Sequence, residues 1–223
     1  MFKIAIDGPS GAGKSTISKV IAKKLGFIYI DTGAMYRAAA LGCVRQGVDV
    51  KSEPKKATEI VKKLDIDLEM GDDGTIVYLN GEDVSGKIRT PEISLAASAV
   101  SAIGDVRVVL VEKQREMGSR KSVIMDGRDI GTHVLPDADV KIFLTASSSA
   151  RAKRRYDELL AKGEKVTFSE VLEDMELRDK NDSTRAVSPL KPADDAVMVD
   201  TTEYSFDESV DYIHNIICER LGL

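Results

Sequence analysis

The chain of 223 residues has little cysteine. Its two cysteines, Cys43 and Cys218, lie far apart, and neither belongs to a CxxC motif or to a cysteine–histidine spacing typical of metal sites. We therefore expect two reduced, buried thiols and no disulfide, which is the pattern of a cytosolic protein. A chain of this length buries roughly 70 to 75% of the surface that it exposes when unfolded, so its core needs neither a disulfide nor a metal.

Long apolar runs, an excess of basic charge, internal repeats and low-complexity tracts are also missing. No uncharged apolar stretch is long enough to cross a bilayer, so we expect neither secretion nor a membrane span. The 37 acidic residues outnumber the 32 lysines and arginines, and the formal net charge is −5. A surface of this sign is unsuited to coating a nucleic-acid polymer. Any anionic ligand must therefore meet a local cluster of positive charge.

The distribution of apolar residues predicts an α/β fold. Short β-rich runs, each followed by helical periodicity, are typical of βαβ units with a parallel sheet. The segment 65–89 differs, because its apolar runs are separated by Gly71-Asp72-Asp73-Gly74 and Asn80-Gly81. This pattern is typical of short antiparallel strands joined by tight turns. We therefore interpret the segment as an insertion.

Two capping boxes predict helix starts near the C-terminus, one at Thr167–Glu170 and one at Ser205–Glu208. In the last helix, helical spacing predicts one inward-facing stripe. Its members are Phe206, Val210, Ile213 and Ile217.

The residues from Gly8 to Ser15 match the pattern G-x-x-x-x-G-K-[ST], between an expected strand and an expected helix. Glycines let main-chain N–H groups turn toward one point, and the helix N-terminus adds partial positive charge. Lys14 then reaches the outer phosphates of a nucleotide, and Ser15 offers an oxygen to Mg²⁺. The expected ATP-binding residues of this loop are Gly8, Pro9, Ser10, Gly11, Ala12, Gly13, Lys14, Ser15 and Thr16.

A phosphate-binding loop alone does not separate kinases, GTPases, motor ATPases and sensors. The chain has no Asn-Lys-x-Asp motif and no Leu-Ser-Gly-Gly-Gln signature, which argues against a GTPase and a transporter ATPase. Arg128 follows a buried strand in Asp126-Gly127-Arg128-Asp129, where functional groups of an open parallel sheet gather. A basic cluster follows later, and it is either a charged solvent face or part of a mobile lid over phosphates. Its members are Arg151, Lys153, Arg154 and Arg155.

Five blocks of sequence resemble the bacterial-type cytidylate (CMP) kinases, a branch of the nucleoside monophosphate kinases. They are Ile6–Lys14, Asp31–Arg37, Gly81–Thr90, Asp126–Thr132 and Arg185–Leu190. The resemblance implies a P-loop kinase with a central parallel β-sheet flanked by helices, an inserted monophosphate-binding domain with a small antiparallel sheet, and a helical lid. It implies a core domain at residues 1–35, 105–147 and 193–223, a monophosphate-binding domain at 36–104 with the β insertion at about 65–89, and a lid at 148–192.

The same resemblance implies roles for individual side chains. The implied catalytic residues are Lys14, Arg37, Arg128 and Arg185, and Arg154 is implied at ATP. The implied contacts to the acceptor phosphate are Thr32, Arg37, Arg128 and Arg185. The implied contacts to the sugar hydroxyls are Arg178 and Asp182, and those to the base are Ser98, Arg107 and Asp129. The segment 180–184 has fewer arginines than some relatives carry, so it leaves the lid contacts to phosphate unassigned.

An acid beside a donor suits cytosine, which offers an amino donor at N4 and acceptors at N3 and O2. Asp129 and Arg107 supply that pair. Uracil presents an acceptor where cytosine has N4, so an ionised Asp129 should oppose it. The residues alone also allow an alternative, in which Asp129 is a structural partner of Arg128 or of a backbone N–H.

The expected reaction moves the γ-phosphoryl group of ATP to CMP or dCMP. A nucleotide phosphate has a second pKa of about 6, so the acceptor is largely a dianion at neutral pH and needs no general base. Ser15 would hold Mg²⁺, and Asp126 would either orient its waters or serve as a structural acid. We expect ATP and CMP or dCMP as ligands, no nucleic-acid polymer and no membrane, in a cytoplasmic monomer.

Two other classes stay open. A different small-molecule kinase, such as a shikimate or dephospho-coenzyme A kinase, would keep the loop and the lid without needing the β insertion or the three base-reading residues. A regulatory module would bind ATP without turnover, and the lack of a partner-binding tail or an extra domain argues against it.

Overall fold

The chain alternates strands and helices through most of its length. The computed structural model describes residues 1–71, 74–119 and 121–223. The strands are β1 (Lys3–Asp7), β2 (Ile28–Asp31), β3 (Ile66–Gly71), β4 (Gly74–Leu79), β5 (Glu82–Asp83), β6 (Val123–Gly127), β7 (Val140–Thr145) and β8 (Val197–Asp200). The helices are α1 (Lys14–Leu25), α2 (Thr32–Arg45), α3 (Pro54–Lys63), α4 (Pro91–Ser101), α5 (Gly104–Gly118), α6 (Ser148–Ala161), α7 (Phe168–Thr184) and α8 (Phe206–Leu221), with a π-helix at Ile130–Val134. One compact unit comprises Met1–Gly26 and Ile124–Leu223, and the other comprises Phe27–Val123.

Parallel strands carry the phosphate-binding loop in the first unit. Strands β6, β1, β7 and β8 are neighbours in that order, and β7 pairs in parallel with both β1 and β8. Ile4 and Ile6 of β1 lie opposite Val140 and Ile142 of β7, and all four are buried. Because parallel strands end at one edge, the loops that follow β1 and β6 emerge together. The predicted α/β fold with a parallel sheet is confirmed.

Helices α6 and α7 pack against each other around a small apolar core. Ala152 of α6 and Val171 and Met175 of α7 are buried there. Beside them, the rings of Tyr156 and Phe168 meet edge to face, with centroids 6.1 Å apart. Both helices belong to the first unit, and their role as a lid stays a prediction.

Both capping boxes form as predicted. Thr167 and Ser205 accept hydrogen bonds from the main-chain N–H groups of Glu170 and Glu208, whose carboxylates accept from the N–H groups of the two caps. These reciprocal bonds satisfy donors that the first helical turn leaves unpaired. They fix where α7 and α8 begin.

Two expectations about burial are wrong. Phe206 is 48% exposed, although Val210 and Ile213 of the same stripe are buried. Periodicity identifies the buried face of a helix but not where along the helix packing begins, and Phe206 is the first residue of α8. Cys43 is buried as expected, whereas Cys218 is only half-buried.

The second unit contains the antiparallel sheet that the sequence predicts. Strands β3, β4 and β5 follow one another, with Leu68 opposite Val77. In the turn between β4 and β5, Asn80 and Gly81 have φ of +52° and +79°, the left-handed pair that a two-residue hairpin turn requires. The tight turn predicted at Asp72-Asp73 lies outside the described residues.

Within the described part of the chain, no single helix is both long and apolar enough to cross a membrane. Helices α4 and α5 pass a test of length and composition only when joined across a bend of 100°. Val100 of α4 and Leu110 of α5 are buried, whereas Leu95 of α4 and Val108 of α5 are exposed.

Gly8 directly follows β1, at a position where a side chain has no room. Its φ is +150°, and an added Cβ would lie 1.9 Å from the carbonyl oxygen of Leu144. We expect Gly8→Ala to lower the free energy of unfolding by about 3 kcal/mol or more, because overpacking and backbone strain add. Urea-induced unfolding measures the change. Gly26→Ala is the matched control, since Gly26 also has positive φ but no atom within 4 Å of an added Cβ. Equal losses in the two variants would contradict the expectation.

Candidate active site

The loop between β1 and α1 adopts backbone conformations that its glycines allow. Gly11 and Gly13 have φ of +72° and +89°, a region that residues with a Cβ rarely enter. Lys14 begins α1 and is buried. Its Nζ donates a hydrogen bond of 2.7 Å to the carbonyl oxygen of Pro9. The lysine is therefore held against the loop that it would serve.

Burial weakens the proton affinity of Lys14. Desolvation and the neighbouring charge of Arg128 lower its pKa to about 7, while Asp126 and Asp7 act in the opposite direction. An ammonium in this position has lost part of its hydration. A polyanionic ligand would replace that hydration and raise the pKa again. The site thus favours binding of a phosphate chain.

Ser15 and Asp126 form a pair of oxygen donors beside the loop. The Ser15 hydroxyl donates to Oδ2 of Asp126 at 2.7 Å, and Asp126 is buried at the end of β6. Across residues 1–71, 74–119 and 121–223, no cluster of three or more His, Cys, Asp or Glu side chains could hold a metal. Mg²⁺ takes oxygen ligands and in kinases is held by few protein groups, with phosphates and water completing its shell. The two residues fit a Mg²⁺ ion that arrives with a nucleotide.

Two arginines and two acids form a network in the same unit, and the charges of Arg128 and Asp182 act on Lys14. Nε of Arg128 donates to Oδ2 of Asp182 at 2.8 Å. The guanidinium of Arg185 lies 3.6 Å from Oδ1 of Asp129 and 3.9 Å from Oδ1 of Asp182. The first unit therefore brings together four of the predicted substrate residues. Asp129, the acid predicted to read the base, is thus in contact with Arg185.

Asp7 is a buried acid that the sequence analysis did not single out. It ends β1, and its two carboxylate oxygens accept hydrogen bonds of 2.8 Å from the N–H groups of Ile130 and Gly131. Burial raises the pKa of Asp7 to about 6, although these bonds act against the rise. The π-helix that starts at Ile130 follows Asp129 directly. Asp7 thus holds the segment next to a predicted base-reading residue. Its position, ending a buried strand just before Gly8, was the available signal.

Ionisation of Asp7 should change the relative stability of the wild type and Asp7→Asn with pH. The folded state holds this proton more tightly than the unfolded chain, because the pKa rises from 3.8 to about 6 on folding. The stability that Asp7 contributes relative to Asn is therefore lost as pH rises through this window. Two pKa units correspond to about 3 kcal/mol. Urea-induced unfolding of both proteins between about pH 4 and 7.5 measures the difference. A difference that does not vary with pH would contradict the assignment.

The second unit places two predicted residues at the start of α2. Oδ1 of Asp31 accepts a hydrogen bond of 2.8 Å from the N–H of Ala34 and so caps the helix. Oδ2 of Asp31 lies 3.3 Å from Nη2 of Arg37. Thr32, the first residue of α2, is buried. A hydroxyl and an oriented guanidinium therefore lie close in sequence at a helix N-terminus, an arrangement that favours a phosphate.

Arg107 is buried in the same unit. Its side chain donates to the carbonyl oxygen of Ser101 at 3.3 Å, and its guanidinium carbon lies 5.6 Å from the centre of the Tyr36 ring. A guanidinium fixed against a ring is a rigid, planar set of donors. Tyr36 was not among the predicted site residues. The available signal was its position directly before Arg37 in the segment Asp31–Arg37.

Nearly the whole chain matches one family of kinases. The model of the cytidylate kinase family matches residues 4–219. The chain belongs to the cytidylate kinase family.

Similar cytidylate kinases cover almost all of this chain. The cytidylate kinase of Caldicellulosiruptor bescii is 52% identical over 207 residues, which are 93% of this chain and 91% of the relative. That of Caldanaerobacter subterraneus subsp. tengcongensis is 52% identical over 215 residues, 96% and 94% of the two chains. A solved structure, an uncharacterized protein from Eubacterium ventriosum, is similar with a TM-score of 0.50 at 15% identity, covering 98% of this chain and 96% of the other. That likeness shows the fold alone.

Membership of the cytidylate kinase family makes the protein an enzyme and confirms the resemblance seen in the sequence. The remaining predicted residues are placed as follows. Nη2 of Arg154 donates to the carbonyl oxygen of Thr201 at 2.6 Å. Arg178 of α7 and Ser98 of α4 are half-buried, and Thr16 of α1 is exposed. The roles of all the site residues stay predictions.

Proposed function

We propose that this cytidylate kinase transfers the γ-phosphoryl group of ATP to CMP or dCMP and releases ADP and CDP or dCDP. The observation that carries the proposal is the cluster around Lys14 in the first unit. Lys14 is buried, Ser15 donates to Asp126, and Arg128 is close enough to lower the pKa of Lys14. Asp182 contacts both Arg128 and Arg185 and so joins the second guanidinium to the cluster. Cancelling the charge of two polyanions is the main task in phosphoryl transfer.

The acceptor requires no general base. With a second pKa of about 6, the phosphate of CMP is largely a dianion at neutral pH and attacks as it is. The protein has to align the two polyanionic substrates and neutralise their charge. The proposed catalytic residues are therefore Lys14, Arg37, Arg128 and Arg185. Neither His133 nor His214 takes part in this scheme.

Mg²⁺ would be held by Ser15, with Asp126 as the neighbouring acid. The ion, when bound with ATP, would neutralise charge on the phosphates. The Ser15 hydroxyl donates to Oδ2 of Asp126 at 2.7 Å, so each side chain orients the other.

Recognition of cytosine is assigned to Asp129, Arg107 and Ser98, and recognition of the sugar to Arg178 and Asp182. An ionised Asp129 accepts from the N4 amino group, and an arginine donates to the acceptors of the ring. The acceptor phosphate is assigned to Thr32, Arg37, Arg128 and Arg185. Residues 148–192 would act as a lid that excludes water from the reaction. A cytoplasmic monomer with nucleotides as its ligands completes the proposal.

The test is ADP formation by the purified protein with Mg·ATP and one acceptor at a time: CMP, dCMP, UMP, AMP, GMP, shikimate or none. Fast turnover with CMP and dCMP alone is the expected result. Turnover with another acceptor would overturn the assignment of cytosine recognition, but the protein would still be a kinase. Binding of ATP without acceptor-dependent turnover would overturn the proposed reaction.

A further inference from the structure

Arg151 differs from the other basic residues of α6. Lys153 pairs with Asp157 and Arg155 pairs with Glu158 at exposed positions along the helix. The side chain of Arg151 is only 7% exposed. In the basic cluster of α6, Lys153 and Arg155 thus face solvent, whereas Arg151 is a buried charge.

The buried guanidinium of Arg151 contacts the phosphate-binding loop. Its Nη1 donates to the carbonyl oxygen of Ser10 at 2.8 Å, and its Nε donates to the carbonyl oxygen of Ala146 at 2.8 Å. The same Nη1 lies 2.7 Å from Oδ2 of Asp179, which belongs to α7. Oδ1 of Asp179 in turn accepts from the N–H of Ser10 at 3.3 Å. One ion pair therefore holds both main-chain polar groups of a single loop residue.

The next residue of the loop packs against the same two helices. A Cβ added to Gly11 would lie 2.8 Å from Cε of Met175 and 3.3 Å from Cβ of Arg151. The hydrogen bonds at Ser10 and this close approach at Gly11 act on adjacent residues. Together they fix the first half of the loop. The groups that bind Ser10 belong to Arg151 and Asp179, which lie 141 and 169 residues further along the chain.

We propose that Arg151 and Asp179 are positioning residues for ATP. They hold Ser10 so that the N–H groups of the following loop residues converge on the phosphates, without touching the nucleotide themselves. The inference rests on the proposed use of ATP at this loop. A buried ion pair adds little net stability but can hold one conformation, and a preformed loop binds its ligand without an ordering cost. The pair also ties α6 and α7 to the loop.

The experiment compares Asp179→Asn and Arg151→Lys with the wild type in the full chain. Equilibrium binding of a non-hydrolysable ATP analogue without CMP, and the KM values for ATP and for CMP, are measured. We expect ATP affinity to fall about tenfold and the KM for CMP to change less than about twofold, because a lysine or an amide cannot reproduce the charged fork. Arg155→Lys and Glu158→Gln, on the exposed side of α6, are the matched controls.

Coupling between the two residues distinguishes positioning from general damage. In Arg151→Gln combined with Asp179→Asn, the fold loss of ATP affinity should be smaller than the product of the fold losses in Arg151→Gln alone and Asp179→Asn alone. ATP affinities equal to those of the controls, or an equal rise in the KM for CMP, would overturn the inference. If Arg151→Lys unfolds in a thermal melt, Asp179→Asn, at a side chain that is 20% exposed, decides alone. A wild type that binds the ATP analogue but turns over no CMP would refute the proposed reaction, and the affinities for the analogue would still decide the positioning role.

Discussion

Replacing Lys14 with alanine should lower turnover by about 10²–10³-fold, the cost of removing one preorganised donor to a developing charge, and should leave the protein folded. Lys14 is buried, and its Nζ donates to the carbonyl oxygen of Pro9. Burial already lowers its pKa to about 7, so the folded state gains little from its charge. Catalysis, in contrast, needs that charge when ATP binds.

The measurement is kcat with Mg·ATP and CMP, together with thermal unfolding. Lys14→Met keeps the volume of the side chain without its charge, so it should lose as much activity as Lys14→Ala. Lys23→Ala, at an exposed position of the same helix, is the control and should match the wild type. A methionine variant with wild-type turnover would remove Lys14 from the proposed mechanism.

Replacing Asp129 with asparagine should reverse part of the preference for cytosine. An amide can donate to the oxygen at position 4 of uracil, where an ionised carboxylate opposes it. We expect kcat/KM for CMP to fall about tenfold to a hundredfold, because one buried polar contact is worth about 1–3 kcal/mol, and the ratio of UMP to CMP use to rise. Affinity for ATP should change little.

Asp129→Ala is the matched variant, since both substitutions remove the carboxylate charge that lies 3.6 Å from Arg185. Any effect of losing that charge is therefore common to the two proteins. Only the asparagine can offer a donor to uracil, so only Asp129→Asn should gain use of UMP. Equal UMP turnover in the two variants would mean that Asp129 supports Arg185 and does not read the base.

The phosphate-binding loop and the parallel strands were predictable from the sequence because their signals are local. The loop pattern at Gly8 to Ser15 lies between an apolar run and a helical stripe, and all three are read within 25 residues. Capping boxes and the Asn80-Gly81 turn are local signals of the same kind. Such features require only side-chain chemistry and backbone preferences of neighbouring residues.

The rest depends on contacts between distant parts of the chain. Asp7 accepts from Ile130 and Gly131, 123 and 124 residues away, and no spacing rule predicts this. The π-helix at that point is a rare form without a sequence pattern of its own. Phe206 is exposed because packing on α8 begins after it. The periodicity of the helix does not predict where along the helix packing begins. Family resemblance names such residues but does not supply their contacts.

Because the apolar core between α6 and α7 is small, we expect this helix pair to unfold locally while the rest of its unit stays folded. Ala152, Val171 and Met175 are its buried members, far fewer than the apolar side chains around the parallel strands. Elements with few buried contacts open at a lower free energy than the whole domain. Amide hydrogens of α6 and α7 should therefore exchange with solvent together and well before those of β1 and β7. Local opening of α6 and α7 would loosen one wall of the site while the strands next to the phosphate-binding loop stay intact.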